Sequence, residues 1–152
     1  MLRLVLDTDV LVAAIRSRFG ASSQLVERAL SGSYTLLLSV PLVLEYEEVL
    51  TRPEHLKAAG LAVTDIEAVV TALIAVAHPV RNSYLWRPRL PDPDDDMVLE
   101  TAVNGTATAL VTFNQRHFVP LVKEFDCRVW LPSEALRFLQ NPTVGILNPI
   151  KE

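Results

Sequence analysis

A single cysteine, Cys127, occurs among the 152 residues. One thiol excludes an internal disulfide and any zinc cage built on cysteines, and its setting, CRVW, reads as that of a small buried hydrophobe. Long apolar runs are also missing. The longest, AVVTALIAVA at 68–77, has ten residues, against the roughly 20 that a membrane-spanning helix needs. The opening MLRLVLDTDVLVAAI is apolar, but Asp7 and Asp9 interrupt it where the hydrophobic stretch of a signal peptide would lie. The expectation is a cytoplasmic protein with no membrane partner. Internal repeats, low-complexity segments and breaks in composition are absent too, so one domain is expected.

What is present is an ordinary globular composition, half apolar and 21% charged, in a chain long enough to bury a real core. The net charge of −4 looks wrong for a nucleic-acid binder. The total hides the distribution, however. Asp7, Asp9, Glu45, Asp92, Asp94, Asp95 and Asp96 are seven of the 18 acids, and setting them aside leaves 11 acidic against 14 basic residues, a balance of +3. If a divalent cation offsets that cluster, the remaining surface tolerates a phosphate backbone. This permits nucleic acid without requiring it.

The run LRLVL at 2–6 is too short for a helix and ends at Asp7, which predicts a buried strand. DVLVAAIRSR and SSQLVERAL read as helices split by Gly20. YTLLLS at 34–39 is a second strand, and Pro41 opens the helix PLVLEYEEVL. RPEHLKAAG is a short helix closed by Gly60. Thr64 and Asp65 open an apolar-faced helix, with Thr64 and Glu67 at capping-box spacing. AHPV starts a third strand, and NSYLWRPRLPDP is a proline-rich loop. DDDMVLETAVNG is a helix ending near Gly105, followed by a strand TALVTF, a fifth strand CRVWL and a helix PSEALRFL. The tail NPTVGILNPIKE shows no readable structure. Short apolar strands alternating with helices predict an α/β fold, a parallel sheet of about five strands covered on both faces.

In such folds ligands bind beyond the carboxyl ends of strands, near the point where strand order reverses. The acids collect there. Asp7 ends the first strand, Glu45 lies in the helix after the second, and Asp92 to Asp96 precede the fourth, which Asn114 follows. At 100° per residue Asp95 shares a face with Val98, Leu99 and Ala102, flanked by Asp94 and Asp96. Glu45 and Glu47 lie on the two flanks of their helix, where periodicity cannot choose between them; nearness to the strand end favours Glu45. Aspartates at a helix start also serve simply as caps, and EYEE also reads as a solvated face. Asp7 is different, because a carboxylate at the end of an apolar strand needs a partner. Carboxylate ligands point to Mg²⁺ or Mn²⁺.

VLDTDVLV, SVPLVLEYEEVL, DPDDDMVLETA and ALVTFNQRHF, in this order and spacing, resemble the PIN-domain family, in particular the VapC-like toxin ribonucleases of toxin–antitoxin pairs. The resemblance covers residues 2 to 139. It implies a PIN-like, Rossmannoid three-layer sandwich, with residues 1–140 as the nuclease domain and 141–152 as a tail. Asp7, Glu45 and Asp95 would be the catalytic, metal-binding acids, with Asp92 and Asp96 as further ligands and Asp9, Thr112 and Asn114 as supporting polar groups. It further implies an RNA substrate, a cognate antitoxin and a homodimer. Two positions depart from the pattern. The family commonly has asparagine where this chain has Asp9, and an aspartate after the fourth strand where this chain has Asn114 and His117, which puts a second metal position in question. Tyr84, Trp86, Arg87 and Arg89 stand together just ahead of the acids, as aromatics that stack on bases and arginines that meet phosphates do; a loop with one core-packed Trp is the plainer alternative.

Two other functions fit part of this pattern. DTDVL matches the start of haloacid-dehalogenase-type phosphatases, with Asp7 as nucleophile and Asp9 as general acid. Their acidic pair follows a strand, though, whereas WRPRLP is a loop, and Lys57 is the only lysine between the second motif and the acids. The third is a PIN fold that binds RNA or protein without cutting.

Overall fold

The computed structural model describes residues 1–82 and 93–141, with the backbone alone for 93–95 and 120. The segment holding Tyr84, Trp86, Arg87, Arg89 and Asp92, and the tail from 142 onward, lie outside the described residues. Five strands are present: β1 Arg3–Leu6, β2 Thr35–Leu38, β3 His78–Pro79, β4 Ala109–Val111 and β5 Arg128–Trp130. They form one parallel sheet in the order β3-β2-β1-β4-β5. Leu4 pairs with Leu36 on one side and with Ala109 on the other, so β1 is the central strand. Leu4, Val5 and Leu6 are all fully buried. Successive residues of a strand face opposite ways, so both faces of the sheet are covered, as the unbroken apolar runs require.

The helices are α1 Thr8–Arg16, α2 Ala21–Leu30, α3 Val40–Leu50, α4 Pro53–Ala59, α5 Val63–Val76, α6 Pro93–Asn104, α7 Val119–Glu124 and α8 Pro132–Gln140. The chain builds outward from β1 through β2 to β3, then crosses back to lay β4 and β5 on the other side. Strand order therefore reverses between β1 and β4, and the crevice beyond their carboxyl ends is the place such a sheet offers a ligand.

Several boundaries differ from the sequence reading, each for a local reason. α1 begins at Thr8 because the Asp7 carboxylate caps it, accepting the Thr8 N–H at 2.8 Å. α3 is capped by Ser39, whose hydroxyl accepts from the Leu42 N–H, so Val40 precedes Pro41 in the first turn. α5 starts at Val63, and its reaching-back acid is Asp65, which accepts the Ala62 N–H at 2.8 Å; Thr64 and Glu67 do not form the expected box. β4 stops at Val111 because Thr112 and Phe113 turn their polar groups to the acids of the first segment. A 3₁₀ turn, Gln115–Phe118, and α7 were not expected; six residues with a proline in the first turn carry too little periodicity to read.

α6 is enclosed more fully than one apolar stripe implies. It contacts β1, β2, β4 and α3, and Asp96, Val98, Leu99, Glu100, Thr101 and Ala102 are all buried. Asp96, expected on a flank, is 1% exposed. Just beyond the helix, a Cβ on Gly105 would stand 2.9 Å from the Leu37 and Val80 side chains and from the Thr101 carbonyl. Only glycine lets the chain pass so close to β2.

Candidate active site

Asp7 is the first residue past β1, and its N–H still donates to the Val111 carbonyl at 2.9 Å. The strand's apolar register ends there, so its carboxylate, only 6% exposed, is delivered to the crevice at the switch point. Its two oxygens have different partners. Oδ1 caps α1, and Oδ2 accepts the Thr112 hydroxyl at 2.7 Å from the end of β4. The helix N-terminus favours the negative charge held against it.

Asp9, in the first turn of α1, gathers the turn after β4. Its Oδ2 accepts the Phe113 N–H at 3.1 Å and the Asn114 side-chain amide at 3.2 Å, with the Thr112 hydroxyl at 3.4 Å. The Asn114 N–H donates to the Thr112 oxygen at 3.0 Å. Thr112 therefore accepts from the loop while it donates to Asp7, which fixes the direction of its one hydroxyl proton.

Glu45 arrives from the other side on α3. The next residue, Tyr46, is buried, and its hydroxyl donates to the Leu6 carbonyl at 2.5 Å. That bond ties the helix carrying Glu45 to the strand end carrying Asp7. Burial raises the Tyr46 hydroxyl well above its usual pKa; the negative Asp7 adds to this, and Tyr34 less so. Tyr46 is a neutral donor at any ordinary pH. Glu48, by contrast, pairs with Arg52 at 2.8 Å on the surface, and Glu47 is exposed.

Asp7, Thr8, Asp9, Val12, Glu45, Val49, His55 and Asn114 line one cavity of about 250 Å³. Of the acids expected in the site, Asp7, Asp9 and Glu45 are thus brought together, with Asn114 beside them. Thr112 lies behind Asp7. Asp96 is not in this lining, and the side chains of Asp94 and Asp95 lie outside the described residues. His117 lines a separate hollow with Phe113 to Arg116. A larger hollow, about 640 Å³, lies at the opposite ends of β4 and β5 around Thr106 to Thr108 and Phe125 to Arg128; its lining holds one acid, Asp126.

His55 is the wall residue that sequence reasoning missed. It sits in the short helix α4, and only the packing of α4 on α1 brings it to the acids. Its Nδ1 is buried and has no hydrogen-bond partner among the described residues. No spacing in the chain signals this.

The donor set is one of hard oxygens, which suits Mg²⁺ or Mn²⁺. Among the described residues no three acidic, imidazole or thiol side chains are grouped so as to enclose a cation. Mg²⁺ asks for less, since it binds through one or two carboxylates and completes its shell with water and phosphate oxygens.

A parallel sheet whose switch point is walled by carboxylates defines an α/β protein with an acidic crevice. The PIN domain family model matches residues 3–116, and the chain belongs to that family. Among solved structures it is similar to the crystal structure of VapBC2 from Rickettsia felis bound to a DNA fragment from their promoter, with a TM-score of 0.54 and 12% sequence identity over 84% of this chain and 97% of that one. At that identity the likeness is one of fold. No curated protein matches.

Proposed function

We propose that this protein is a Mg²⁺- or Mn²⁺-dependent endoribonuclease, the toxin of a toxin–antitoxin pair. Membership of the PIN family supports a nuclease in broad terms. The observation that carries the finer reading is the meeting of Asp7, Asp9 and Glu45 in one cavity at the switch point. Asp7 and Glu45, with Asp95, would hold the cation, with Asp92 and Asp96 assisting. Bound there, the cation would supply an activated water and offset charge on the phosphodiester. The chain's own part is positioning. Thr112 and the α1 N-terminus aim Asp7, Tyr46 holds α3 against β1, and Asn114 and His55, which line the same cavity, would meet a phosphate or ribose oxygen. Tyr84, Trp86, Arg87 and Arg89 would contact single-stranded RNA. A cognate antitoxin and a homodimer are the proposed partners; the similar structure is itself a VapBC2 complex. Residues 1–140 would form the nuclease, cytoplasmic, with 141–152 as a tail.

The test is cleavage of a single-stranded RNA panel in Mg²⁺, Mn²⁺ or EDTA by the wild type, Asp7→Asn and Asp95→Asn, with a phosphomonoester as control. Metal-dependent RNA cutting lost in both variants supports the reading. Phosphomonoester turnover without RNA cutting would instead support the Asp7-nucleophile phosphatase, which is disfavoured here because DPDDD runs into a helix from Pro93 rather than following a strand. RNA binding without cleavage, with no Mn²⁺ bound, would make the protein a binding module.

A further inference from the structure

The helix that opens in the acidic cavity ends at an exposed basic and aromatic tip. Asp9, Val12 and Arg16 of α1 are spaced three and four residues apart, so they form one stripe along the helix. Asp9 and Val12 line the cavity. Arg16 lies exposed in the last turn, about 10 Å beyond Asp9 at roughly 1.5 Å per residue. Just past it the Gly20 N–H donates to the Ser17 carbonyl at 3.2 Å, which makes Arg18 and Phe19 the corner residues of a turn. The Gln24 side-chain amide steadies that corner by donating to the Phe19 carbonyl at 3.3 Å. Both corner side chains are exposed, Phe19 by 87%. A lone exposed apolar residue says little. This one has Arg16 and Arg18 close by in the chain, neither paired with an acid among the described residues, and it occupies a corner where glycine and short polar residues are the rule.

We propose that Arg16, Arg18 and Phe19 form an anchoring site for single-stranded RNA at the end of α1 away from the cut, where Phe19 stacks on an unpaired base and the two arginines meet the flanking phosphates. An aromatic face and positive charge are the two components that a sequence-tolerant single-strand site needs. Contacts of this kind add affinity and carry no sequence choice. The α1 stripe sets the distance. About 10 Å from Asp9 to Arg16 is roughly three phosphates of a stacked strand, at about 3.4 Å each. A strand held at the tip therefore reaches the cavity only if it extends several nucleotides from the cut, and a dinucleotide cannot engage both. Asp7, Asp9 and Glu45 repel a phosphate backbone until a cation offsets them, so the tip also gives RNA a place to land that does not depend on the metal. The choice of ligand rests on the ribonuclease reading, but the site can fail separately.

The experiment compares the full chain with Arg16→Gln, Arg18→Gln, Phe19→Ala and Phe19→Trp. Binding of a labelled single-stranded RNA of about 12 nucleotides is read by fluorescence anisotropy in EDTA over a series of salt concentrations. Cutting in Mn²⁺ is read on the same RNA and on a dinucleotide. Phe19→Ala is expected to bind roughly 5- to 100-fold more weakly, and Phe19→Trp as tightly as wild type. Each arginine variant should lower the slope of log affinity against log salt by about 0.7. All four should keep the wild-type rate on the dinucleotide, while Phe19→Ala and the arginine variants lose kcat/KM on the longer RNA through KM. Melting of Arg18→Gln and Phe19→Ala should match wild type, since both side chains are exposed. Variants that bind with wild-type affinity and salt slope overturn the proposal, as does equal slowing on both RNAs or a wild type that binds no RNA. An Arg16→Gln chain that melts lower with its salt slope unchanged assigns that residue to the α1 dipole and overturns its part in the site. Binding that follows the expected pattern while no chain cuts RNA overturns the nuclease reading alone.

Discussion

Ser39 and Thr101 meet hydroxyl to hydroxyl at 2.7 Å, both buried, across 62 residues of chain. Thr101 donates its one proton to the Met97 carbonyl at 2.8 Å, so Ser39 is the donor between them. Ser39 caps α3, which carries Glu45, and Thr101 lies on α6, two turns from its acidic start. The bond is a strut between two helices of the proposed site. Ser39→Ala and Thr101→Val should each destabilise by about 1–3 kcal/mol, and a double-mutant cycle should return a coupling of roughly 0.5–1.5 kcal/mol. Additive losses in urea denaturation would mean the two hydroxyls merely coexist.

Tyr46→Phe keeps the ring and removes the donor to Leu6. A stranded buried carbonyl costs about 1–3 kcal/mol, so the melting temperature in EDTA should fall by several degrees. RNA cleavage should fall as well, because the carbonyl released is the one immediately before Asp7. Unchanged cleavage with lowered stability would confine Tyr46 to the core.

His55→Ala tests the imidazole that lines the cavity with Asp7, Asp9 and Glu45. If the imidazole meets a phosphate, a bond to a charged group worth about 1.5–3 kcal/mol is lost, roughly a 10- to 100-fold drop in kcat/KM, with melting little changed. Cleavage at the wild-type rate would assign His55 to shape alone.

Burial pushes the Cys127 thiol from its ordinary 9.0 up to about 12; a hydrogen bond with the Leu110 backbone offsets a little of this, and the negative Asp126 adds a little to it. Burial likewise raises Tyr34 and Tyr46. In each case the folded chain keeps a proton that the unfolded chain gives up sooner, so stability is intact below the unfolded values and declines as pH rises through them. Melting temperature should hold to about pH 9 and then drop toward pH 12, and Cys127→Ala should delay the first part of that drop. A Cys127→Ala profile superimposed on wild type would remove the thiol from the account.

Gly105→Ala places a methyl group against Leu37, Val80 and the Thr101 carbonyl. Overpacking of this kind costs about 1–3 kcal/mol, read as a lower urea midpoint. A midpoint equal to wild type would show that the end of α6 gives way freely.

What the sequence revealed and what it concealed follow from range. β1 was legible because an apolar run ending in Asp7 needs only its own residues to interpret. The helix starting at Pro93 was legible from its acids and its close at Gly105. Glu45 was separable from Glu47 only by the fold, since both sit on helix flanks, and Glu45 is the one lining the cavity while Glu47 is exposed. The cap of α5 differs from the sequence reading because Asp65 takes the job expected of Glu67 two residues earlier. His55 and the Asp9–Asn114 bond left no local trace, because they exist only once α4 packs on α1 and β4 lies beside β1.

The junction of Asp7 with Thr112 also sets a clock. A ribosome working at roughly 5–20 residues per second needs about 5–20 s to pass from one to the other. By the time Asp96 is added the growing chain holds 13 of its 18 acids but not yet the strand that aligns them. A partial chain of this protein, released early, has the carboxylates of a nuclease and no crevice to use them in.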